Sequence, residues 1–381
     1  MTMGQGDEVY ELFGHDALWV HDPAQPIDTV YNWGVFTFDH PVRFVLRFLK
    51  GDMRYMMDGE PLDLIVAYYR ALDRQVWVQE LNLTDVEKTE LITFLHWNVR
   101  PENATYRYDY YRDNCSTRVR DAIDRVTGGQ IRAQLRSIKT DETYRSHTLR
   151  LMQRDRALVS GVELMLGRPT DVKLTADATS FLPVELMKHL HTVKLDGGRR
   201  PLFKREFILN EATRTPEPTR VPGLWMWFAP VGLGLTVLVL WLGASAELTV
   251  GRRRVLAATV AILAGTFGIL GTVIAALITV TDHVAAHGNE DIFMLNPLWL
   301  VIAVLAPRMI LRRRAGKRAV LLIRVAGAVS CGAVVFHLVA LSRQPNWDAI
   351  ALVLPVELAI AWVLIDVSWA ATPPNRPVET V

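Results

Sequence analysis

Two side chains in this 381-residue chain could serve as a nucleophile and its base. Cys115 stands in the run Tyr-Asp-Tyr-Tyr-Arg-Asp-Asn-Cys-Ser-Thr-Arg-Val-Arg-Asp, residues 108–121. The only other cysteine, Cys331, lies in a long apolar segment. One thiol in the first 222 residues excludes a disulfide within them and leaves too few ligands for a Cys-rich zinc site. What remains is a thiol at the expected start of a helix. Converging backbone N–H groups there favour a thiolate, and a nearby imidazolium favours it further. The candidate base is His15, in the run Leu-Phe-Gly-His-Asp-Ala-Leu.

A lone cysteine is often a small buried hydrophobe. The neighbours Asp113, Asn114, Ser116, Thr117, Arg118 and Arg120 make a poor setting for a greasy core thiol. A cysteine opening a helix, with a histidine on a strand, is the minimal nucleophile–base arrangement of papain-type enzymes. His15 competes with His21, His40, His96, His147, His189 and His191. It stands out because Gly14 permits close backbone approach and strand-like residues flank it. Asn32, on the next expected strand, is the third member: its amide oxygen would hold the imidazole Nδ1–H and so set the tautomer. Tyr110 and Tyr111 either pack as strand residues or line an acyl groove. Asn114 and Arg118 join them as substrate-contact candidates. Arg118 and Arg120 are either solvated helix cations or partners for a lipid phosphate. The chain carries no His-Glu-x-x-His, Cys-x-x-Cys, Gly-x-Ser-x-Gly or phosphate-cradling glycine loop, so no metal and no cofactor is expected.

These residues need elements to hold them. Val9–Phe13 and Ala17–His21 read as one strand or two around the Gly14-His15 step, and residues 29–39 read as a strand. Residues 42–50 are apolar at helical spacing. Ala71–Leu81 alternates, with Val76 and Val78 inward. Thr84 and Glu87 form a capping box for a helix to about Asn98. Ser116–Val126 reads as a helix closed by Gly128-Gly129. Helical runs follow near 130–165 and 182–192, then a polar, Pro-containing linker. The region is α+β.

The second half reads differently. Apolar runs at Leu224–Ala246, Val255–Val280, Leu298–Leu311, Ala319–Leu341 and Ile350–Ala370 point to about five membrane helices; the third run is short. A net charge of +2 gives no reason to invoke nucleic acid. Arg252, Arg253 and Arg254 separate runs one and two; Arg312, Arg313, Arg314, Lys317 and Arg318 separate runs three and four. The opposite loops carry Arg343 alone, so the arginine loops are expected in the cytoplasm and residues 1–222 outside. Residues 1–30 carry no export signal, so the natural chain is expected to begin upstream. The expected division is an extracytoplasmic domain over 1–212, a linker over 213–223, a membrane domain over 224–371 and a cytoplasmic tail over 372–381. Depth in the membrane predicts an Arg324–Asp366 pair and a His337–Glu357 hydrogen bond.

Three strings together carry a family resemblance: Gly-Asp-Glu-Val-Tyr-Glu-Leu-Phe-Gly-His-Asp-Ala-Leu around His15, Val-Tyr-Asn-Trp-Gly-Val-Phe-Thr-Phe around Asn32, and the Cys115 run. In that order they resemble the periplasmic domain of the Lnb family of bacterial lipoprotein N-acyltransferases, over roughly residues 4–210. The resemblance implies a permuted papain-like domain, as in the NlpC and lecithin:retinol acyltransferase groups, followed by a helical membrane domain. It implies Cys115 as nucleophile and His15 as base, a phospholipid acyl donor, a lipoprotein acceptor, and a multi-pass protein of the inner membrane with its first domain in the periplasm. The competing reading is a membrane-tethered cysteine peptidase or amidase acting on cell-wall peptide. A third is a catalytically idle sensor or scaffold.

Overall fold

The computed structural model describes residues 1–23, 28–36, 46, 47, 49–244, 249–339 and 344–369. His40, Arg343, the tail over 372–381 and most of the helical expectation over 42–50 lie outside them. The chain forms two compact units, one of residues 1–159 with 172–221 and one of residues 160–171 with those from 222 on.

The first unit is α+β. Strands β1 (Thr2–Met3), β2 (His15–Val20), β3 (Thr29–Val35), β4 (Arg54–Pro61), β5 (Val76–Leu81) and β6 (Thr105–Arg107) join β9 (Phe203–Asn210) in one sheet. Its order is β6-β4-β3-β2-β1-β5-β9, with every pairing antiparallel. A separate hairpin pairs β7 (Lys194–Leu195) with β8 (Arg200–Pro201). Alternation along the central strands divides the core between the two faces. Leu18, Tyr31 and Trp33 pack with Leu91 and Leu95 of α2 (Asp85–Asn98) and Val119 and Ile123 of α3 (Cys115–Val126). Ala17 and Val30 pack with Ile65 and Tyr69 of α1 (Leu62–Ala71) and with Val76.

Local chemistry sets the boundaries. Thr84 accepts from Glu87 N–H, and Glu87 returns a 2.7 Å bond to Thr84 N–H; such a cap is worth about 1 kcal/mol. Gly128 and Gly129, both at positive φ, stop α3. Val76 and Val78 are buried as the alternation requires. One expectation fails. Val9–Phe13 is not a strand but begins with a 3-10 turn over Val9–Glu11. Val9 and Tyr10 face solvent there, so the apolar residues that suggest a strand have no sheet neighbour.

Among the described residues the second unit holds five helices long and apolar enough to cross a membrane. They are α5 (Trp225–Gly243), α6 (Val250–Thr279), α7 (Leu298–Arg312), α8 (Lys317–Leu338) and α9 (Trp347–Trp369), counting Pro183–Thr192 of the first unit as α4. A 3-10 turn over Glu290–Phe293 precedes α7 and extends the short third run to Glu290–Arg312. Arg252–Arg254 occupy the first turn of α6 rather than a loop. Helices α6 and α7 pack along each other, as do α5 and α9. A Cβ on Gly268 would collide with the Leu300 backbone, and one on Gly232 with the Ala351 carbonyl. Small residues thus set these close approaches.

Neither expected polar pair forms. Arg324 and Asp366 both lie on exposed faces and share no ion pair among the described residues. Depth fixed their level but not their helix face. His337 bonds Asn346 at 2.6 Å and stacks on Trp347 instead of reaching Glu357. Glu357 is fully buried, near Trp299 and Ser330, with neither carboxyl oxygen hydrogen-bonded among the described residues.

Candidate active site

Asn114 builds the start of α3. Its side-chain oxygen accepts from Thr117 N–H at 3.0 Å, and Thr117 Oγ1 accepts from Asn114 N–H at 2.8 Å. The Asn114 amide nitrogen donates to the carbonyls of Phe181 and Tyr110, at 2.8 and 3.1 Å. Both polar atoms of its side chain are thereby engaged in capping the helix and in tying it to Tyr110 and Phe181. Cys115 follows as the first helical residue, half-buried, where backbone N–H groups lack intrahelical partners.

Two strands bring the other residues to this end of the helix. Asn32 on β3 pairs in register with Ala17 on β2, so His15, two residues earlier, is its diagonal neighbour on the same face. His15 Nε2 and Asn32 Oδ1 are 3.1 Å apart. The ring nitrogen held by Asn32 is therefore Nε2 rather than the expected Nδ1. The backbone N–H groups of the next residue, Asp16, and of Ser116 lie near enough to the Cys115 thiol to favour its ionised form. Thiol and imidazole do not share a hydrogen bond among the described residues. Catalytic bonds of this kind commonly tighten only around substrate.

Two glycines at positive φ shape the strands here. Gly34 lies at a β3 bulge with φ +97°, and a Cβ there would sit 4.0 Å from Cys115 Cβ. Gly14, at φ +80°, turns the chain into β2; a Cβ would stand 2.7 Å from the Met3 carbonyl oxygen.

Electrostatics differ from the expectation of a resting thiolate. Burial pushes the Cys115 thiol up to about 11, and the Asp16 carboxylate adds to the rise; the Asp16 and Ser116 N–H groups only partly oppose it. Burial likewise lowers His15, with the Asn32 bond opposing. At neutral pH the thiol and the imidazole are both neutral. Asp16 is buried; its Oδ1 accepts from Thr2 Oγ1 at 2.7 Å, and burial raises its own pKa. Asp16 Oδ2, Ser116 Oγ and the Tyr106 hydroxyl are buried around the thiol without hydrogen-bond partners among the described residues.

The other candidates have structural partners. Tyr111 is buried, its hydroxyl 2.7 Å from Thr148 Oγ1 and its ring stacked on Tyr144. Tyr110 is exposed and meets Tyr111 edge-on. Arg118 is bonded twice to Asp113 and lies 4.2 Å over the Tyr106 ring. Arg120 is buried against Asp177 and Asp121. His21 pairs with Asp28, His191 with Glu206 and His189 with Thr179, while His147 lies against Arg150 and His96 against Tyr31. Sequence reasoning missed Asp16, although it adjoins His15. It also missed the buried Arg74–Glu11 pair, 3.0 Å apart, for which no local signal exists. A cleft of about 430 Å³ beside Trp77, Met187, His191 and Ile208 contains none of the three site residues.

Residues 1–154, which include His15, Asn32 and Cys115, match the family model of the Lnb N-terminal periplasmic domain, and residues 224–334 match that of the Lnb transmembrane domain. No protein of curated function and no solved structure matches the chain. With both domains in this order and five membrane-capable helices in the second, the chain belongs to the Lnb family and is a multi-pass membrane protein with a periplasmic N-terminal domain.

Proposed function

We propose that this protein is a cysteine-dependent N-acyltransferase of the inner membrane, with a permuted papain-like periplasmic domain. The observation that carries the reading is the Cys115 thiol at the start of α3, a helix that packs on β2 and β3, the strands on which His15 is bonded to Asn32. His15 Nδ1 takes the thiol proton as sulfur attacks an ester carbonyl of a phospholipid. In this reading the Asp16 and Ser116 N–H groups receive the charge that develops on the carbonyl oxygen. The intermediate collapses to a thioester, and the lysophospholipid alkoxide leaves with the proton from His15. The α-amino group of a lipoprotein's lipid-modified N-terminal cysteine then attacks the thioester. It loses a proton to His15, and the thiol re-forms as the amide departs. A neutral resting pair suits this cycle, because the proton moves only as the nucleophile attacks.

The test is the intact mass of N-terminal lipopeptides from cells with and without the gene. The reading expects loss of one N-linked acyl chain without the protein. Unchanged lipopeptides, with altered cell-wall peptides instead, would replace it with the hydrolase reading.

A further inference from the structure

Helix α1 presents apolar residues to both of its sides. Ile65 and Tyr69 are buried against the sheet with Ala17, Val30 and Val76. The opposite, exposed side carries Leu64, Ala67, Tyr68 and Ala71, with Leu72 just past the last turn. These positions recur at i, i+3, i+4, i+7 and i+8, so they form one continuous stripe. Leu64 is 61 % exposed, Tyr68 50 % and Leu72 37 %. No charged side chain interrupts the stripe, because Asp63 and Arg70, the exposed charges of the helix, share one margin of it. A surface helix ordinarily turns charge outward, as α2 does with Asp85, Lys88 and Glu90. Arg74, just beyond α1, lies 4.8 Å over the Tyr69 ring and pairs with Glu11 at 3.0 Å. It thereby holds the 3-10 turn, with exposed Val9 and Tyr10, at this end of the helix.

The size and chemistry of the stripe select its partner. A stable protein interface takes roughly 800 Å² and about 20–30 residues from each side. One face of a ten-residue helix, about 15 Å long, supplies a fraction of that even with Val9 and Tyr10 added. Of its five side chains only Tyr68 can hydrogen-bond, so the stripe has little with which to specify a protein surface or a second copy of the chain. A bilayer needs no matching shape. Leucine and alanine side chains enter the boundary between headgroups and acyl chains, and tyrosine rings sit at its wet edge. Contact through one short helix is weak for a free domain, but five membrane-capable helices keep a bilayer at high effective concentration around this one. We propose that Leu64, Ala67, Tyr68, Ala71 and Leu72, with Tyr10 beside them, form a lipid-docking face that beds the periplasmic domain on the bilayer surface. The proposal does not depend on the acyl-transfer reading.

The test uses the full-length protein in nanodiscs of phosphatidylethanolamine and phosphatidylglycerol. The photo-crosslinking residue p-benzoylphenylalanine is placed singly at Leu64, at Tyr68 and, as a control on the charged outer face of α2, at Glu90. All three positions are exposed, so the fold is not at stake. After irradiation, peptide masses should show phospholipid adducts at positions 64 and 68 in roughly tenfold excess over position 90. Leu72→Glu, which puts a charge into the stripe, should lower the adduct yield at position 68 by roughly tenfold. Equal lipid labelling at all three positions would overturn the proposal, as would an absence of lipid adducts at 64 and 68. So would crosslinks at 64 and 68 that run to a second copy or to another protein in place of lipid, or a yield at 68 that Leu72→Glu leaves unchanged.

Discussion

The sheet domain and the helical bundle bury polar side chains in contrasting ways. Around Cys115, Asp16 Oδ2, Ser116 Oγ and the Tyr106 hydroxyl converge from different elements without hydrogen-bond partners among the described residues. In the bundle most buried polar groups gather in a connected network beside the 3-10 turn before α7. Asp291 accepts from Asn346 at 2.5 Å, Glu290 N–H donates to Gln344, and Arg168 binds Glu290. A satisfied network fixes a structure, and unsatisfied atoms around a thiol are held in place by everything else. The contrast separates a region built to hold from a region built to react. Glu357 and the Trp299 indole N–H, buried in the bundle without hydrogen-bond partners among the described residues, are exceptions on the holding side.

The largest expected effect falls on the reacting region. His15→Ala should lower kcat/KM by about 10²–10⁴-fold, the usual worth of a general base. Asn32→Ala should cost less, because Asn32 holds the ring without touching the proton. It also removes the bond that opposes the burial-driven fall of the His15 pKa. The acid limb, which marks protonation of the base, already lies below the ordinary histidine value and should move lower still. A larger loss in Asn32→Ala than in His15→Ala would break the assignment of roles.

The holding side of the first unit is tested next. Arg74 and Glu11 are buried together, so Glu11→Ala leaves an uncompensated guanidinium and should cost about 3–5 kcal/mol in denaturant unfolding of the intact protein. A cost near zero would mean that the pair does not fix the turn carrying Tyr10.

Asp16→Asn sharpens the account of the resting thiol. The Asp16 carboxylate adds to the rise that burial imposes on Cys115, so its removal should bring the midpoint of thiol alkylation down from about 11. Alkylation at neutral pH would then be faster than in the unaltered protein. An upward or absent shift would show that burial alone governs the thiol.

The smallest effect lies in the bundle. Arg324 and Asp366 face outward and share no ion pair among the described residues, so single and double alanine changes should add within about 0.3–0.5 kcal/mol. Marked non-additivity would restore the pair.

What was legible in the sequence follows the same divide. Alternation placed Val76 and Val78 inward, Thr84 with Glu87 started α2, and Gly128 with Gly129 ended α3. These are local signals with fixed geometry. His15, Asn32 and Cys115 were legible as residue types at the ends of such elements. Their ring-nitrogen polarity was not, because it depends on the register of β2 against β3. Strand β4 was not seen: Arg54–Pro61 contains Asp58, Gly59 and Pro61, residues that strands disfavour, and pairing on both sides overrides them. The Tyr111 partner Thr148, 37 residues away, was not legible from the sequence. The bundle gave its spans but not its pairs. Helices apolar all round carry no periodic signal to say which face a charge occupies.

The account stands on one covalent species. Detergent-solubilised protein incubated with phospholipid should gain the mass of one acyl chain at Cys115, and neutral hydroxylamine should remove it. Cys115→Ala protein should gain nothing. Absence of any adduct while acyl transfer proceeds, or an adduct that persists in Cys115→Ala, would contradict a thioester at this residue.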